Sequence, residues 1–232
     1  MDYRLIGISL TALLSLADFL SEGRFLRSQF KQRLVSFAAG VSVAYIFLHL
    51  FPQIYFSLFS SNLSIKNVTF FSMLIGFVSY HLIEKWIYHH AKRDEIVAEI
   101  EQQHVLTLFF YHFVIGIVFI SLLKNNRVDG LLYFIPISLH VLINALPHSH
   151  RFEKKSVRAF FVSAPILGAI LASLVTIPEV LDLMLLGMIA GILLFVEARE
   201  IAPSKRSESI SFFLLGVITF VIVIITMRFY VG

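Results

Sequence analysis

Residues 131–150 read LLYFIPISLHVLINALPHSH, a run that begins almost wholly apolar and then gathers polar side chains. A run of this length and apolarity is typical of a helix that crosses a lipid bilayer. On a helix, His140, Asn144 and His148 are spaced i, i+4 and i+8, so they share one face. Polar groups in such a segment cost free energy and usually have a functional role, so this face is the first candidate site.

The composition of the whole chain indicates a protein embedded in lipid. Of its 232 residues, 58% are hydrophobic and 15% are charged, and 24 are Phe. A soluble domain carries about 25% charged residues, so this chain is expected to bury its apolar surface in a lipid bilayer. The absence of Cys excludes disulfides and thiolate metal sites. The net charge of +4 is small and scattered, so nucleic-acid binding is not expected.

The pattern of apolar runs predicts an all-α integral membrane protein, with eight transmembrane helices bundled into a single domain over 1–232. The predicted spans cover approximately 4–22, 33–59, 68–90, 104–123, 130–149, 158–178, 180–200 and 209–230. Strands are not expected, because the runs are too long and continuous for the strands of a membrane barrel.

The basic residues predict an orientation for these spans. Of the 19 Lys and Arg residues, 14 lie in or beside the connections after the first, third, fifth and seventh spans, and the remaining five lie on the other side. Cytoplasmic loops are enriched in basic residues, so both termini are predicted to be non-cytoplasmic. We expect a multi-pass protein of the plasma membrane.

Ionisable side chains within the predicted spans are few. His49 in span two precedes Pro52, and a proline in a membrane helix frees a backbone carbonyl and kinks the helix. Within residues 109–119 of span four, FFYHFVIGIVF, His112 is the only titratable group besides Tyr111. Glu197 approaches the end of span seven, where we expect a charged side chain to snorkel to the membrane rim.

These segments, in this order, resemble the ZIP family of zinc and iron permeases over nearly the whole chain. Residues 49–53, HLFPQ, are similar to the His-Leu-x-Pro-acid motif of that family's second helix, and residues 84–90, EKWIYHH, to the end of its third. Residues 200–203, EIAP, are similar to the acid-x-x-Pro end of its seventh helix. The resemblance implies eight helices and a permease for a divalent metal ion, zinc first, with no enzymatic activity.

The metal motif of the family's fifth helix, His-Glu-x-Pro-His-Glu, is matched by residues 144–149, NALPHS. The Pro and the second His are kept, and Asn stands for the first His. The resemblance therefore implies that zinc, as substrate or bound ion, is held by His112, Asn144 and His148, with weaker candidates at His140, His49 and Ser149.

The motif of the family's fourth helix, His-Asn-x-x-Asp-Gly, fits this chain in two registers. The first places Tyr111 at the His, His112 at the Asn and Ile115 at the Asp. The second places His112 at the His, Phe113 at the Asn and Gly116 at the Asp. Neither register supplies a carboxylate.

Spans four, five and six contain no Asp or Glu at all. A divalent cation in a low-dielectric site needs charged ligands or retained water, so the two-metal arrangement of the family is not expected. Neutral imidazoles can still hold one Zn²⁺ tetrahedrally, with water or hydroxide as the fourth ligand. The alternative is that these histidines bond to each other, to Tyr111 or to backbone groups freed by Pro147.

Two other functions stay open at this point. One is a non-transporting ZIP-like membrane protein with a structural, regulatory or partner-binding role. The other is an intramembrane metal hydrolase, which would need a carboxylate to orient a zinc-bound water, and acids such as Asp18 lie toward span ends. A homodimer is compatible with the glycines scattered through the spans, which permit close helix packing without identifying a dimer face.

Overall fold

The computed structural model describes residues 2–20, 28–59, 63–90, 97–145, 155–200 and 209–230, and within these ranges it is helical without strands. The α-helices are α1 Tyr3–Leu20, α2 Ser28–Tyr45, α3 Phe51–Phe59, α4 Leu63–His90, α5 Val97–Asn125, α6 Arg127–Ala145, α7 Lys155–Val162, α8 Ala164–Leu174, α9 Glu179–Glu200 and α10 Ile210–Tyr230. A π-helical turn, Ile46–Leu50, joins α2 to α3. The predicted all-α class is confirmed for these residues.

Each predicted span coincides with one helix or with consecutive helices. Span two corresponds to α2, the π-helical turn and α3, and span six corresponds to α7 and α8. Among the side chains that the structure describes, four helical stretches are long and apolar enough to cross a membrane: Tyr3–Leu20, Gln32–Phe56, Glu179–Arg199 and Ile210–Tyr230. The fold is therefore compatible with a helical membrane protein, and eight crossings stay a prediction.

Helix α10 shows an apolar surface that suits lipid. Ile218, Ile222 and Ile225 are all exposed, and they lie three or four residues apart, so they form a stripe along one side. Its opposite side packs on α2 and buries Phe220 and Ile224. Soluble monomers rarely expose contiguous apolar surfaces of this kind, whereas a bilayer covers them.

Span six differs from the predicted single helix over 158–178. Pro165 lies in the first turn of α8, where its missing N–H removes no hydrogen bond within that helix. The helix ends at Leu174, because Val175 is extended at φ −111° and ψ 137°. Pro178 then disfavours helical geometry in the residue before it, which keeps the connection to α9 open.

Three pairs of helices cross at glycines, which allow their backbones to approach closely. Where α2 crosses α10, a Cβ on Gly40 would collide with the carbonyl oxygen of Phe213, and a Cβ on Gly216 with that of Phe37. Small residues give tight packing between helices in lipid, where no hydrophobic effect drives helices together. These glycines serve packing within the chain, so they do not mark a face for a second copy. The same arrangement joins α4 to α9 at Gly76 and Gly191, and α5 to α8 at Gly116 and Gly168.

The π-helical turn has a local cause in Pro52. The backbone N–H of Phe51 donates to the carbonyl of Ile46, five residues earlier. A proline ring clashes with the carbonyl four residues before it, and a wider turn at that point relieves the clash. The turn carries His49, whose side chain is fully buried inside the bundle.

Candidate functional site

The structure describes the side chains of three of the predicted metal ligands: His112 on α5, His140 on α6 and His49 on the π-helical turn. The first two each lie beside Tyr111, and His49 lies in a separate polar cluster. The remaining three predictions fall outside the described side chains: Asn144, whose backbone belongs to α6, His148 and Ser149.

Tyr111 on α5 is buried at the meeting point of four helices. Its ring centroid lies 6.4 Å from that of His140 on α6 and 6.2 Å from that of Tyr80 on α4. Glu197 on α9 lies close enough to interact with it electrostatically. The buried Tyr111 hydroxyl has no hydrogen-bond partner among the described residues. We refer to Tyr80, Tyr111, His112, His140 and Glu197 as the Tyr111 cluster.

His112 belongs to this cluster through aromatic contacts. Its side chain is buried, and its ring centroid is 5.4 Å from Tyr111 and 5.0 Å from Phe161 on α7, in an edge-on arrangement with the latter. The span-four histidine therefore points into the bundle, as a ligand in that span must. His140, in contrast, is half-buried.

Glu197 differs from its prediction as a rim residue. Its side chain is only 4% exposed, so the expectation that it snorkels out of the bundle was wrong. Glu197 follows the buried Ala190 and Leu193 on the same side of α9, spaced i, i+3 and i+7. Residues 187–196 are apolar throughout, so the sequence does not distinguish this side of α9 from the others, and only the structure shows that Glu197 brings a carboxylate to a region where spans four to six have none.

The donors around Tyr111 do not complete a metal site by themselves. Within the ranges that the structure describes, no three His, Asp or Glu side chains converge closely enough to hold a metal ion. A zinc ion in the Tyr111 cluster would therefore need a further ligand from the end of span five, where Asn144 and His148 were predicted.

A second polar cluster surrounds His49, and we name it the His49 cluster: His49, Gln53, Asp129 and Arg228. His49 Nε2 lies 3.5 Å from Asp129 Oδ1. The Arg228 guanidinium lies 3.3 Å from His49 Nδ1, and Gln53 Nε2 donates to Asp129 Oδ2 at 3.4 Å. The sequence singled out His49 as a candidate ligand without its charged partners, because Asp129 and Arg228 are distant along the chain.

The two charges of the His49 cluster lie where helix dipoles stabilise them. Asp129 is in the first turn of α6, and Arg228 is in the last turn of α10. Negative charge is favourable at a helix N-terminus and positive charge at a C-terminus. The charge of each group is therefore stabilised by its own helix as well as by its contact with His49.

The Arg228 contact determines which nitrogen of His49 carries the ring proton. A guanidinium has donors and no acceptor, so Nδ1 must accept the hydrogen bond from Arg228. In the neutral ring the proton then resides on Nε2, which faces Asp129. Nε2 nevertheless has no hydrogen-bond partner within the described part of the chain, because 3.5 Å is long for such a bond.

In comparisons with known proteins, no family model and no curated protein matches this chain. The resemblance to ZIP permeases therefore rests on the motifs in the sequence.

Proposed function

We propose that the chain is a ZIP-like permease of the plasma membrane, with eight transmembrane helices and both termini non-cytoplasmic, that binds and moves a divalent metal ion. Zinc is the favoured cargo, because imidazole ligands suit it. Its path would run between spans four and five, with His112, Asn144 and His148 as ligands and His140 and Ser149 as weaker candidates. Four apolar helices long enough to cross a membrane support the membrane setting.

The buried carboxylate of Glu197 is the observation that carries this proposal. The predicted ligands of spans four and five are all neutral, and a divalent ion among neutral ligands is costly in a low-dielectric interior. Glu197 enters from α9 with its side chain 4% exposed, and it interacts with Tyr111. A carboxylate near imidazole ligands lowers the cost of the cation, as a ligand or through a ligand that it orients.

The unpartnered hydroxyl of Tyr111 supports the same region as the path of the metal ion. Buried polar groups in proteins nearly always have a hydrogen-bond partner, from the protein or from bound water. The Tyr111 hydroxyl is buried with none among the described residues, and it lies between helices that carry His112, His140 and Glu197. A hydrated ion passing here would supply such a partner.

The test is zinc uptake into vesicles that contain the purified protein. We expect uptake by the native chain, and a loss of about tenfold or more in His112→Ala, His148→Ala and Glu197→Gln, as is typical for ligands and their supporting groups. His81→Ala is the matched control, because it removes an exposed imidazole from α4. Its uptake should equal that of the native chain.

Two outcomes would count against the proposal in different ways. Equal uptake by the native chain, His112→Ala and His148→Ala would show that these histidines are not the transport site. No uptake of zinc, iron or manganese by the native chain, in vesicles where the protein is folded, would remove transport itself.

A second candidate function is a non-transporting membrane protein of the same helix order with a structural, regulatory or partner-binding role. The packing of His112 against Tyr111 and Phe161 favours it, because a ring held this way can serve the core alone. Calorimetry with zinc separates the two functions. High-affinity binding that His112→Ala abolishes would count against this second candidate.

A further inference from the structure

We propose that His49, Gln53 and Asp129 form a cation-binding site separate from the Tyr111 cluster, and that the guanidinium of Arg228 is a tethered cation that an incoming metal ion must displace. The choice of zinc as the ion rests on the proposed function. The site itself rests on the geometry of the His49 cluster.

The distance between His49 Nε2 and Asp129 Oδ1 suits two ligands of one metal ion better than a hydrogen bond. His49 Nε2 and Asp129 Oδ1 are 3.5 Å apart, and Nε2 has no hydrogen-bond partner in the described ranges. Zinc binds imidazole nitrogen and carboxylate oxygen at about 2.0–2.2 Å, so two such ligands at a tetrahedral angle lie about 3.4 Å apart. The imidazole and the carboxylate are thus already at the separation that one ion requires.

Two further oxygen atoms beside this pair are buried and lack partners. Gln53 donates through Nε2 to Asp129, while its Oε1 has no hydrogen-bond partner in the described structure. The Tyr45 side chain is fully buried, its hydroxyl is also unpartnered, and its ring centroid is 5.6 Å from that of His49. Tyr45 interacts electrostatically with Asp129 as well. These oxygens can complete a coordination shell directly or through a bound water.

Arg228 opposes a metal ion at this site in two ways. Its positive charge acts on both His49 and Asp129, so it repels a second cation. Its hydrogen bond to Nδ1 also keeps the ring proton on Nε2, and a protonated nitrogen cannot be a ligand. If the guanidinium moves away, the proton can shift to Nδ1 and the Nε2 lone pair then faces Asp129.

Arg228 is able to leave because it is an exposed residue, whereas His49 is fully buried. While the guanidinium is in place, the charges of Arg228 and Asp129 balance, and the cluster holds no net charge in the interior. An entering divalent ion replaces one cation by another and must break a charge-assisted hydrogen bond to do so. The native site therefore binds metal weakly and releases it readily.

The test counts zinc ions bound per chain at neutral pH, by equilibrium dialysis of the full chain in lipid nanodiscs. At a free zinc concentration that leaves the weak native site largely empty, Arg228→Met should bind about one zinc ion more than the native chain, because its affinity for that site should be raised by about tenfold or more, as expected for loss of a nearby competing charge. The extra ion should be absent from the double variant Arg228→Met/Asp129→Asn. Arg33→Met is the matched control, because it removes the guanidinium that lies 5.4 Å over the Phe212 ring on α10.

A second variant repeats the loss of charge with a polar side chain. Arg228→Gln removes the charge, and its shorter side chain does not reach His49 Nδ1, so it should show the same extra site as Arg228→Met. It also keeps the proposal testable if Arg228→Met does not fold, since either variant should show a zinc ion that the native chain lacks.

The outcomes distinguish a failure of this inference from a failure of the proposed function. An extra zinc ion in the Arg228 variants that persists in His112→Ala supports the inference, even if the native chain binds none and the proposed function fails. The same number of zinc ions in the native chain and in both folded Arg228 variants would overturn the inference, as would an extra ion that survives Asp129→Asn.

Discussion

The Tyr111 cluster and the His49 cluster both place an imidazole inside the helix bundle, but they surround it differently. Around Tyr111, the imidazole of His112 meets aromatic rings, and Glu197 adds a carboxylate from another helix. Around His49, the ring lies between Asp129 and Arg228, so a carboxylate and a cation are already paired through it. The chemistry of a buried histidine therefore depends on its partners more than on its position in a motif.

The two clusters also depend on different helix crossings. The Tyr111 cluster is centred on α5, which crosses α8 at Gly116, and the His49 cluster depends on α10, which crosses α2 at Gly216. A variant at one crossing should therefore disturb one cluster before the other.

Gly116→Val is expected to have the largest effect on stability and on zinc binding. A side chain there would collide with the backbone carbonyl of Pro165, and backbone cannot move aside as a side chain can. Overpacking of this kind costs about 1–3 kcal/mol or more. We expect a lower thermal unfolding temperature in detergent and loss of zinc binding that depends on His112. The zinc site exposed by Arg228→Met should be retained.

Gly216→Val is the mirror experiment, since its Cβ would collide with the carbonyl of Phe37. It should destabilise the chain similarly but abolish the Arg228→Met zinc site first. Ala198→Val, at an exposed position of α9, is the control for added volume. If both glycine variants leave the unfolding temperature unchanged, the close crossings do not exist in the folded protein.

Asp129→Asn is expected to have an intermediate effect on the free energy of unfolding, and its cause is confined to the His49 cluster. Removing one partner of a fully buried charge pair costs about 3–5 kcal/mol, and the 28% exposure of the Asp129 side chain reduces this to about 1–2 kcal/mol. Denaturant unfolding of Asp129→Asn, Arg228→Met and the double variant measures the coupling. The double variant should lose less stability than the two single variants together.

Asp2→Asn is the control for this series, because it removes an exposed carboxylate near the chain start. Strict additivity of Asp129→Asn and Arg228→Met would show that the two charges do not act on each other through His49.

The helices were predictable because lipid permits little else. Long apolar runs such as 209–230 must be helical in a bilayer, and α10 covers Ile210–Tyr230. The wide turn at Ile46–Leu50 was signalled only as a kink near Pro52, since the proline fixes the clash but not how the helix relieves it.

The candidate sites were predictable only in part, because charge partners are long-range. Gln53 and Asp129 are separated by 76 positions, and His49 and Arg228 by 179. No local pattern relates such residues, and the resemblance to ZIP permeases directed attention to histidines rather than to the charges beside them. The burial of Glu197 was not marked by the sequence either, because residues 187–196 before it are apolar on every side of the helix and no buried face stands out.

Tyr111→Phe and Tyr45→Phe are expected to have the smallest effects on stability, and they test which of the two clusters holds zinc. Each removes a buried hydroxyl that has no hydrogen-bond partner in the described ranges, so the free energy of unfolding should change by about 1 kcal/mol or less, or rise. Their effects on zinc should differ. Tyr111→Phe should weaken zinc binding by the native chain, whereas Tyr45→Phe should weaken only the site that Arg228→Met exposes. If Tyr45→Phe alone weakens native zinc binding, the two clusters exchange roles, and the ion is held by His49 in the native protein.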